Sequence, residues 1–298
     1  MIRHISIREI VNHFGEILCY GNEDLIIDGL NLCNRKSIYK SVLSYAETGE
    51  FINIIKSNKS ITAVILNEDI WRQNQDALTC SQYTVLVAEQ PEIMFYKIHD
   101  YLIRNTDFYG NNNFDSIIGR NCIIDSSAVI KSGVIIGDHV VIGANTVICS
   151  GTIIEDNVVI DNNTTIGDTG FQIIKENGVP YNIRHAGKTR ICESAYIASN
   201  CVIEKSLFEG ETFIGKNVQI DSLTIIGHNS YIGENTVLTA GVIVCGSAYI
   251  SQNAWIGVGS SILNKVTIEE NALVGIGSVV TRDVERNSKV FGVPAKKR

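Results

Sequence analysis

His228 is the residue of this chain whose type and position lend themselves most directly to chemistry. It lies two residues after Ile226, in a stretch where an aliphatic residue recurs every six positions, and this places it at an outward-facing turn. Histidine titrates near neutral pH, so an outward imidazole is suited to accepting a proton from a reacting group. A solvated surface histidine is the alternative interpretation. The five other histidines, none in an equivalent context, are His4, His13, His99, His139 and His185.

Gly246 follows His228 by 18 residues, which is three of these six-residue repeats. It therefore occupies the same turn one coil further along. A glycine lets a carbonyl approach the backbone closely, and a preset N–H stabilises a developing oxyanion. An ordinary turn glycine is the alternative.

The six-residue period predicts the fold that positions these two residues. The aliphatic series runs from Ile118 to Ile166 and, after a gap at 167–190, from Ile191 to Val280, with one five-residue step to Phe208 that we interpret as a local deletion. This period fits neither a helix nor a two-faced strand. It is typical of short strands joined by tight turns around a triangular prism, whose coils stack at about 4.8 Å. The sequence therefore predicts a mainly β protein containing a parallel β-helix.

The remaining segments predict the domain organisation. Residues 1–104 carry no hexads and are expected to form a small α/β domain. Asn and Gly content marks 105–116 as a linker. The prism is expected over 117–284 with an insert at 167–190, and 285–298 as a short tail. Within the first domain, helices are expected near 7–14, 49–57 and 92–103 and strands over 24–27, 41–45, 61–66 and 83–87.

Composition restricts the class of partner and the compartment. The formal net charge of −7 argues against a broad nucleic-acid or anionic-membrane surface. The N-terminus lacks the features of a signal peptide, and no apolar run approaches the roughly 20 residues of a membrane span. The eight cysteines form no CxxC pair and no metal-ligand cluster. We expect a soluble cytoplasmic protein with reduced cysteines, no metal and no tightly bound cofactor.

Four stretches resemble the UDP-3-O-acylglucosamine N-acyltransferases, and the similarity runs from about residue 4 to about residue 284. They are LSYAETGEF (43–51), GDTGF (167–171), IDSLTIIGHNSYIGE (220–234) and VCGSAYI (244–250). The resemblance implies a left-handed β-helix and a homotrimer. It also implies transfer of an acyl group from acyl carrier protein to the amine of a UDP-linked amino sugar, as in lipid A synthesis for lipopolysaccharide.

The resemblance also implies roles for particular residues. His228 matches the catalytic base and Gly246 the oxyanion donor, while Tyr45 and Phe51 match two aromatics that sandwich the uracil ring. Ordinary core aromatics are the alternative for that pair. Further matches imply substrate contacts for Asp168, Phe171 and His185 of the insert and for Asp221 and Asn229 beside His228. A surface position without a ligand is equally open for His185.

Several departures leave the two substrates open. Thr48 and Glu50 replace the family's usual Asn and Lys between the aromatics. Lys265 stands where the family has a second histidine, and we expect it to bind the donor through phosphate or phosphopantetheine. The ending VFGVPAKKR resembles CoA-dependent sugar acetyltransferases. The alternative is an acetyl-CoA- or acyl-CoA-dependent N-acyltransferase that acts on a UDP- or dTDP-amino-deoxy sugar for surface polysaccharide.

Two other classes of function fit the pattern less well. A zinc lyase on this prism needs three converging histidines, and no two histidines here lie one coil apart. A non-catalytic binding or scaffold protein remains a second alternative.

Overall fold

The computed structural model describes residues 4–35, 37–79, 83–110 and 112–297. The chain divides into two compact units. Unit 1 takes 1–110 together with 171–186, and unit 2 takes 111–170 and 187–298. Most of the predicted insert therefore belongs to unit 1, whereas the sequence suggested that it was part of the prism.

The elements of unit 1 up to residue 110 are β1 (Ile5–Ser6), α1 (Ile7–His13), β2 (Leu18–Tyr20), β3 (Ile26–Ile27), β4 (Gly29–Leu30), β5 (Val42–Tyr45), a 3-10 helix (Gly49–Phe51), α2 (Ile52–Ser57), β6 (Ile61–Leu66), α3 (Glu68–Thr79), β7 (Thr84–Val87) and α4 (Pro91–Asn105). The strands that follow are β8 (Ile117–Ile118), β9 (Ile123–Ile124), β10 (Val129–Ile130), β11 (Ile135–Ile136), β12 (Val141–Ile142), β13 (Val147–Ile148), β14 (Thr152–Ile154), β15 (Val159–Ile160), β16 (Thr165–Asp168), β17 (Ile173–Glu176), β18 (Val179–Asn182), β19 (Lys188–Ile191), β20 (Tyr196–Ile197), β21 (Val202–Glu204), β22 (Glu211–Ile214), β23 (Gln219–Ile220), β24 (Ile225–Ile226), β25 (Tyr231–Ile232), β26 (Val237–Leu238), β27 (Ile243–Val244), β28 (Tyr249–Ile250), β29 (Trp255–Ile256), β30 (Ser261–Ile262), β31 (Thr267–Ile268), β32 (Leu273–Val274), β33 (Val279–Val280), β34 (Lys289–Phe291) and β35 (Lys296–Lys297).

Unit 1 is built on a five-stranded sheet with the order β2-β7-β6-β5-β4, in which only the edge strand β2 is antiparallel to its neighbour. Strands β5, β6 and β7 are almost entirely buried, as expected for parallel strands covered on both faces. The helices predicted near 7–14, 49–57 and 92–103 are confirmed, although 49–51 form a 3-10 turn. Helix α3 was not predicted from the sequence.

Helix α1 begins where a capping box stabilises its first turn. The Ser6 hydroxyl accepts a hydrogen bond from the Glu9 backbone N–H, and the Glu9 carboxylate accepts one from the Ser6 N–H in return. Two of the helix's unsatisfied donors are paired in this way.

The segment 171–186 forms an antiparallel hairpin of β17 and β18 within unit 1. Its turn is Asn177–Gly178 with both φ angles positive, the combination that matches the twist of two-residue hairpins. The Lys97 ammonium pairs with Glu176 at 2.8 Å, and the Arg184 carbonyl accepts a hydrogen bond from His99 Nε2 at 2.8 Å.

The predicted linker 105–116 is partly wrong, because its first half belongs to the core of unit 1. Phe108 and Tyr109 are buried, and the Tyr109 hydroxyl lies 2.6 Å from His99 Nδ1. The Asn and Gly content of the segment hid these two anchoring aromatics.

Unit 2 is a left-handed parallel β-helix with three sheets, as predicted. Sheet I contains β8, β11, β14, β19, β22, β25, β28 and β31; sheet II contains β9, β12, β15, β20, β23, β26, β29, β32, β34 and β35; sheet III contains β10, β13, β16, β21, β24, β27, β30 and β33. Successive coils pair in register, so that Ile226 lies beside Val244 and Ile232 beside Ile250. The inward side chains form one continuous apolar core.

The corners explain the Asn and Gly content of the repeats. Residues such as Asn145, Asn217 and Asn235 have left-handed φ values of 57–58°, which asparagine tolerates better than other residues with a Cβ. The amides of Asn217, Asn235 and Asn253 are hydrogen-bonded to one another from coil to coil, at 3.0 and 3.3 Å.

Two sequence-based assignments within unit 2 are wrong. Phe208 is not a repeat position, because the next strand after β21 is β22 and the segment 205–210 between them is an excursion, which adds five residues to the repeat instead of deleting one. Phe208 is buried within that excursion. The segment 285–298 is not only a tail, since β34 continues sheet II beside β32.

Among the described residues no helix is both long and apolar enough to cross a membrane. None of the seven described cysteines forms a disulfide, and Cys80 lies outside the described residues. No group of three potential metal-ligating side chains occurs in this part of the chain.

Candidate active site

The corner between sheets III and I brings several polar residues into one row, which we call the III–I edge. Its members, taken along the prism, are Asp168, Glu204, His228, Gly246 and Lys265. Asp168 and Glu204 end strands of sheet III, and the other three residues follow strands of that sheet, so the stacking of coils places them along one edge. Two segments that interrupt the repeat, the hairpin insert and the excursion 205–210, both leave the prism at this edge.

His228 is half-buried and is held through both its backbone and its ring. Its N–H donates to Glu204 Oε2 at 2.9 Å, and its Nδ1 lies 2.9 Å from Asn229 Oδ1. These contacts fix where the imidazole stands relative to the next coil.

The Asn229 amide determines which ring nitrogen of His228 carries the proton. The Leu207 N–H can only donate, and it lies 3.0 Å from Asn229 Oδ1, while Nδ2 donates to the Ser206 hydroxyl. The oxygen of the amide therefore faces His228, and Nδ1 must be the donor in their hydrogen bond. In the neutral ring this leaves Nε2 unprotonated and able to act as a base.

Gly246 lies directly against the imidazole of His228. A Cβ atom at this position would stand 2.6 Å from His228 Nε2, closer than any side chain tolerates. In the part of the chain that the structure describes, no group accepts a hydrogen bond from the Gly246 N–H. A base nitrogen and an available backbone donor thus lie side by side.

Lys265 lies further along the III–I edge, but its position within the coil differs from the one expected from the sequence. The Ser247 N–H donates to the His228 carbonyl, and the Lys265 N–H donates to the Gly246 carbonyl. Asn229, Ser247 and Lys265 share left-handed φ values of 59–64°. Lys265 is therefore the counterpart of Asn229 rather than of His228, and its side chain is exposed.

Asp221 does not lie beside His228, so that expectation is wrong. It follows β23 of sheet II and stands at the corner between sheets II and III, where its carboxylate accepts a hydrogen bond from the Ser222 N–H. Asp168 does lie at the III–I edge, where it pairs with Glu204 after a shift in the register of β16 and β21. The Lys205 N–H donates to the Asp168 carbonyl, and burial lowers the pKa of the Lys205 side chain.

The two remaining insert residues belong to unit 1. Phe171 is 77% exposed, so its ring is open to contact with a ligand. His185 is only 4% exposed, so a surface position is wrong for it.

Tyr45 and Phe51 occupy different environments within unit 1. The Tyr45 hydroxyl donates to Glu92 Oε1 at 2.9 Å, and its ring packs against Phe95 with centroids 5.0 Å apart. Burial raises the pKa of the Tyr45 phenol. Phe51 lies at the end of the 3-10 helix with its ring partly exposed.

Sequence reasoning missed Glu204, Ser206 and Leu207, which hold His228 and Asn229 in place. Their separation from His228 is not a multiple of 18, because the excursion between β21 and β22 breaks the repeat. The only signal available was the irregular spacing around Phe208.

Comparison with known proteins places these repeats in a known class. The family described as "Bacterial transferase hexapeptide (six repeats)" matches residues 115–150 and 211–246, and the latter range includes His228 and Gly246. The matched ranges of the prism are similar to the hexapeptide repeats of bacterial transferases. A second pattern, "Hexapeptide repeat of succinyl-transferase", matches residues 133–168.

Individual relatives of this hexapeptide-repeat prism cover parts of the chain. UDP-3-O-acylglucosamine N-acyltransferase of Maricaulis maris (strain MCS10) is 42% identical over 65 residues, which is 22% of this chain and 19% of the relative. The UDP-N-acetylglucosamine acyltransferase structure from Campylobacter jejuni has a TM-score of 0.55 and 21% identity, covering 61% of this chain and 69% of that one. The latter likeness concerns the fold.

Proposed function

We propose that this chain is an acyltransferase that moves an acyl group from a thioester to the amine of a nucleotide-linked amino sugar. The observation that carries the proposal is the pair formed by His228 Nε2 and the Gly246 backbone, with Nδ1 committed to Asn229. The hexapeptide repeats of transferases, which include both residues, support it.

Each group has a defined task in the proposed reaction. The sugar amine attacks the thioester carbonyl while His228 Nε2 takes a proton from the nitrogen. The Gly246 N–H donates to the oxygen of the tetrahedral intermediate. The C–S bond then breaks, the N-acyl sugar is released, and the proton passes from His228 to the leaving thiolate.

The acceptor side of the proposal is a UDP-linked amino sugar of the lipid A type. Phe51 would offer a partly exposed ring to the base, and Tyr45 would contribute less than a free stacking platform because Phe95 packs against it. Asp168 of the prism and Phe171 of unit 1 are each exposed, and each is a candidate substrate contact within its own unit. The buried environment of His185 favours a supporting role.

The acyl donor would bind at the end of the III–I edge that contains Lys265. Lys265 lies next to Gly246 and is exposed, so its ammonium would bind the phosphate of a phosphopantetheine arm. The arm would lie between neighbouring prisms of a homotrimer. Outward side chains of sheet III such as Ile225 and Ile243 are 40% and 41% exposed, which supports a partner on that face.

A thiol-release assay of the purified protein tests the proposal. Two acyl donors, acyl carrier protein loaded with an acyl group and acetyl-CoA, would each be combined with UDP- and dTDP-linked amino sugars. Turnover with the loaded acyl carrier protein and a UDP sugar supports an acyltransferase of the lipid A type. Turnover only with acetyl-CoA supports the surface-polysaccharide alternative. Absence of thiol release with every pair would contradict acyl transfer.

A further inference from the structure

Arg35 of unit 1 is a largely buried cation that forms no ion pair with any residue the structure describes. Its Nη1 is sealed from solvent and has no hydrogen-bond partner, and none of the described ion pairs includes its guanidinium. Burying an unpaired charge costs free energy unless a ligand or partner neutralises it. The residue as a whole is partly exposed, so we expect an anion from solution to reach it.

The backbone around Arg35 is fixed, so this position is not a consequence of a loose loop. The side-chain amide of Asn58 donates to the carbonyls of Cys33 and Arg35 at 3.0 and 2.9 Å. The Arg35 N–H in turn donates to the Leu32 carbonyl at 3.0 Å. The Arg35 side chain therefore extends from a turn whose backbone is held by hydrogen bonds.

Its surroundings contain acids, but none of them is placed to neutralise it. Burial lowers the pKa of the Arg35 guanidinium, the phenols of Tyr96 and Tyr45 oppose that shift, and Glu92 is committed to the Tyr45 hydroxyl. The pKa of Glu47 is raised by burial and by Glu92, which is the opposite of what a neighbouring guanidinium would produce. Because the Tyr45 phenol already donates to Glu92, the group that the site offers to an incoming anion is the guanidinium of Arg35.

We propose that Arg35 is the phosphate-binding residue of unit 1 and anchors the nucleotide part of the acceptor beside Tyr45 and Tyr96. This inference rests on the proposed function for the identity of the acceptor. A guanidinium presents donors in a planar fork that matches a phosphate, and such charge-assisted pairs are the stronger class of hydrogen bond. The phosphate supplies the negative charge that the protein itself does not.

Calorimetric titration of the full chain with uridine, UMP, UDP and inorganic pyrophosphate tests this. Arg35→Met is expected to weaken UDP binding by about tenfold or more while uridine binding stays within about twofold. The affinity of Arg35→Lys for UDP should lie between those of wild type and Arg35→Met. Lysine keeps the positive charge but lacks the planar set of donors that matches a phosphate. Arg72→Met, at an exposed ion-paired arginine of α3, is the matched control and should leave both affinities unchanged.

A second readout separates binding from a structural role. Without ligand, Arg35→Met should melt at the same temperature as wild type or higher, because an unpaired buried charge has been removed, and the stabilisation by UDP should be lost. Three results would overturn the inference: a ligand-free Arg35→Met that melts several degrees lower, equal weakening of uridine and UDP, or no binding of UDP or pyrophosphate by wild type. A chain that binds UDP through Arg35 but releases no thiol would instead contradict the proposed function alone.

Discussion

The reactive state of His228 depends on one neighbouring amide. Asn229 is held by Leu207 and Ser206 so that its oxygen faces the imidazole, and the imidazole must then donate from Nδ1. The proton-accepting nitrogen is consequently the one that faces Gly246. Catalysis in the proposed reaction therefore also depends on how Leu207 and Ser206 hold Asn229.

Removal of the Asn229 side chain should lower the rate without unfolding the prism. Asn229→Gly keeps a residue that accepts the left-handed φ of 59° but releases the imidazole. We expect kcat to fall by roughly 10²-fold with little change in KM, measured by thiol release. The same substitution at Asn235, a corner with φ 58°, is the control and should leave kcat near wild type. Equal rates for the two variants would show that Asn229 does not position His228.

A methyl group at Gly246 should disable the site by contact. The added Cβ would lie 2.6 Å from His228 Nε2, so either the ring or the coil must shift. We expect Gly246→Ala to lose about 10²-fold or more in kcat, because both the base and the oxyanion donor move. Gly215→Ala, whose Cβ would meet the Glu234 N at 2.8 Å, imposes a similar clash away from the site. If Gly215→Ala lost as much activity as Gly246→Ala, the loss in Gly246→Ala would reflect a less stable prism and not damage to the site.

At this scale the resemblance to a known family pointed to His228 and Gly246, and their separation of 18 residues placed them at the same corner one coil apart. The sequence did not predict that Asp221 and His228 lie at different corners, since a seven-residue separation on a prism crosses from one edge to the next. The support from Glu204 was hidden by the excursion that breaks the period.

At the scale of elements, His99 fastens the hairpin β17–β18 to helix α4. The Arg184 carbonyl can only accept, so Nε2 carries the proton and Nδ1 accepts from the Tyr109 hydroxyl. Burial lowers the pKa of His99 from 6.5 to about 4. The neutral ring is thus required for this connection.

Unit 1 should lose stability as the pH falls from about 6.5 to about 4. In that interval the unfolded chain binds a proton at His99 and the folded chain does not, so acid favours unfolding by up to roughly 3 kcal/mol. His99→Gln keeps a donor and an acceptor but cannot titrate. The free energy of unfolding, measured with urea at pH 7 and pH 4.5, should fall less at the lower pH for His99→Gln than for wild type or for His13→Gln. An equal loss in all three would contradict the assignment.

The elements differ in how far the sequence predicted them. The period of six determined the prism, because each inward position must be apolar in every coil. The hairpin carries an Asn-Gly turn signal, yet nothing local shows that it packs with α4. Helix α3 was missed because its buried residues, Ile70, Trp71 and Leu78, are sparse among polar ones.

At the scale of the whole molecule, the proposal requires more than one chain for each site. Sedimentation equilibrium should give three times the chain mass of 32.8 kDa. Ile243→Lys, on the outward face of sheet III, should dissociate the assembly and abolish thiol release. Trp255→Lys, similarly exposed on sheet II, is the control and should leave the mass unchanged. An active monomer would exclude a site shared between prisms.

The most direct test of the account is the thiol-release rate of a His228 variant with the best donor and acceptor pair. We expect His228→Gln to reduce kcat by about 10²–10⁴-fold with the assembly and melting temperature preserved. His139→Asn is the matched control, since His139 is a corner histidine with φ 60° away from the III–I edge, and it should keep the wild-type rate. A His228→Gln variant with a near-normal rate would contradict the assignment of His228 as the base.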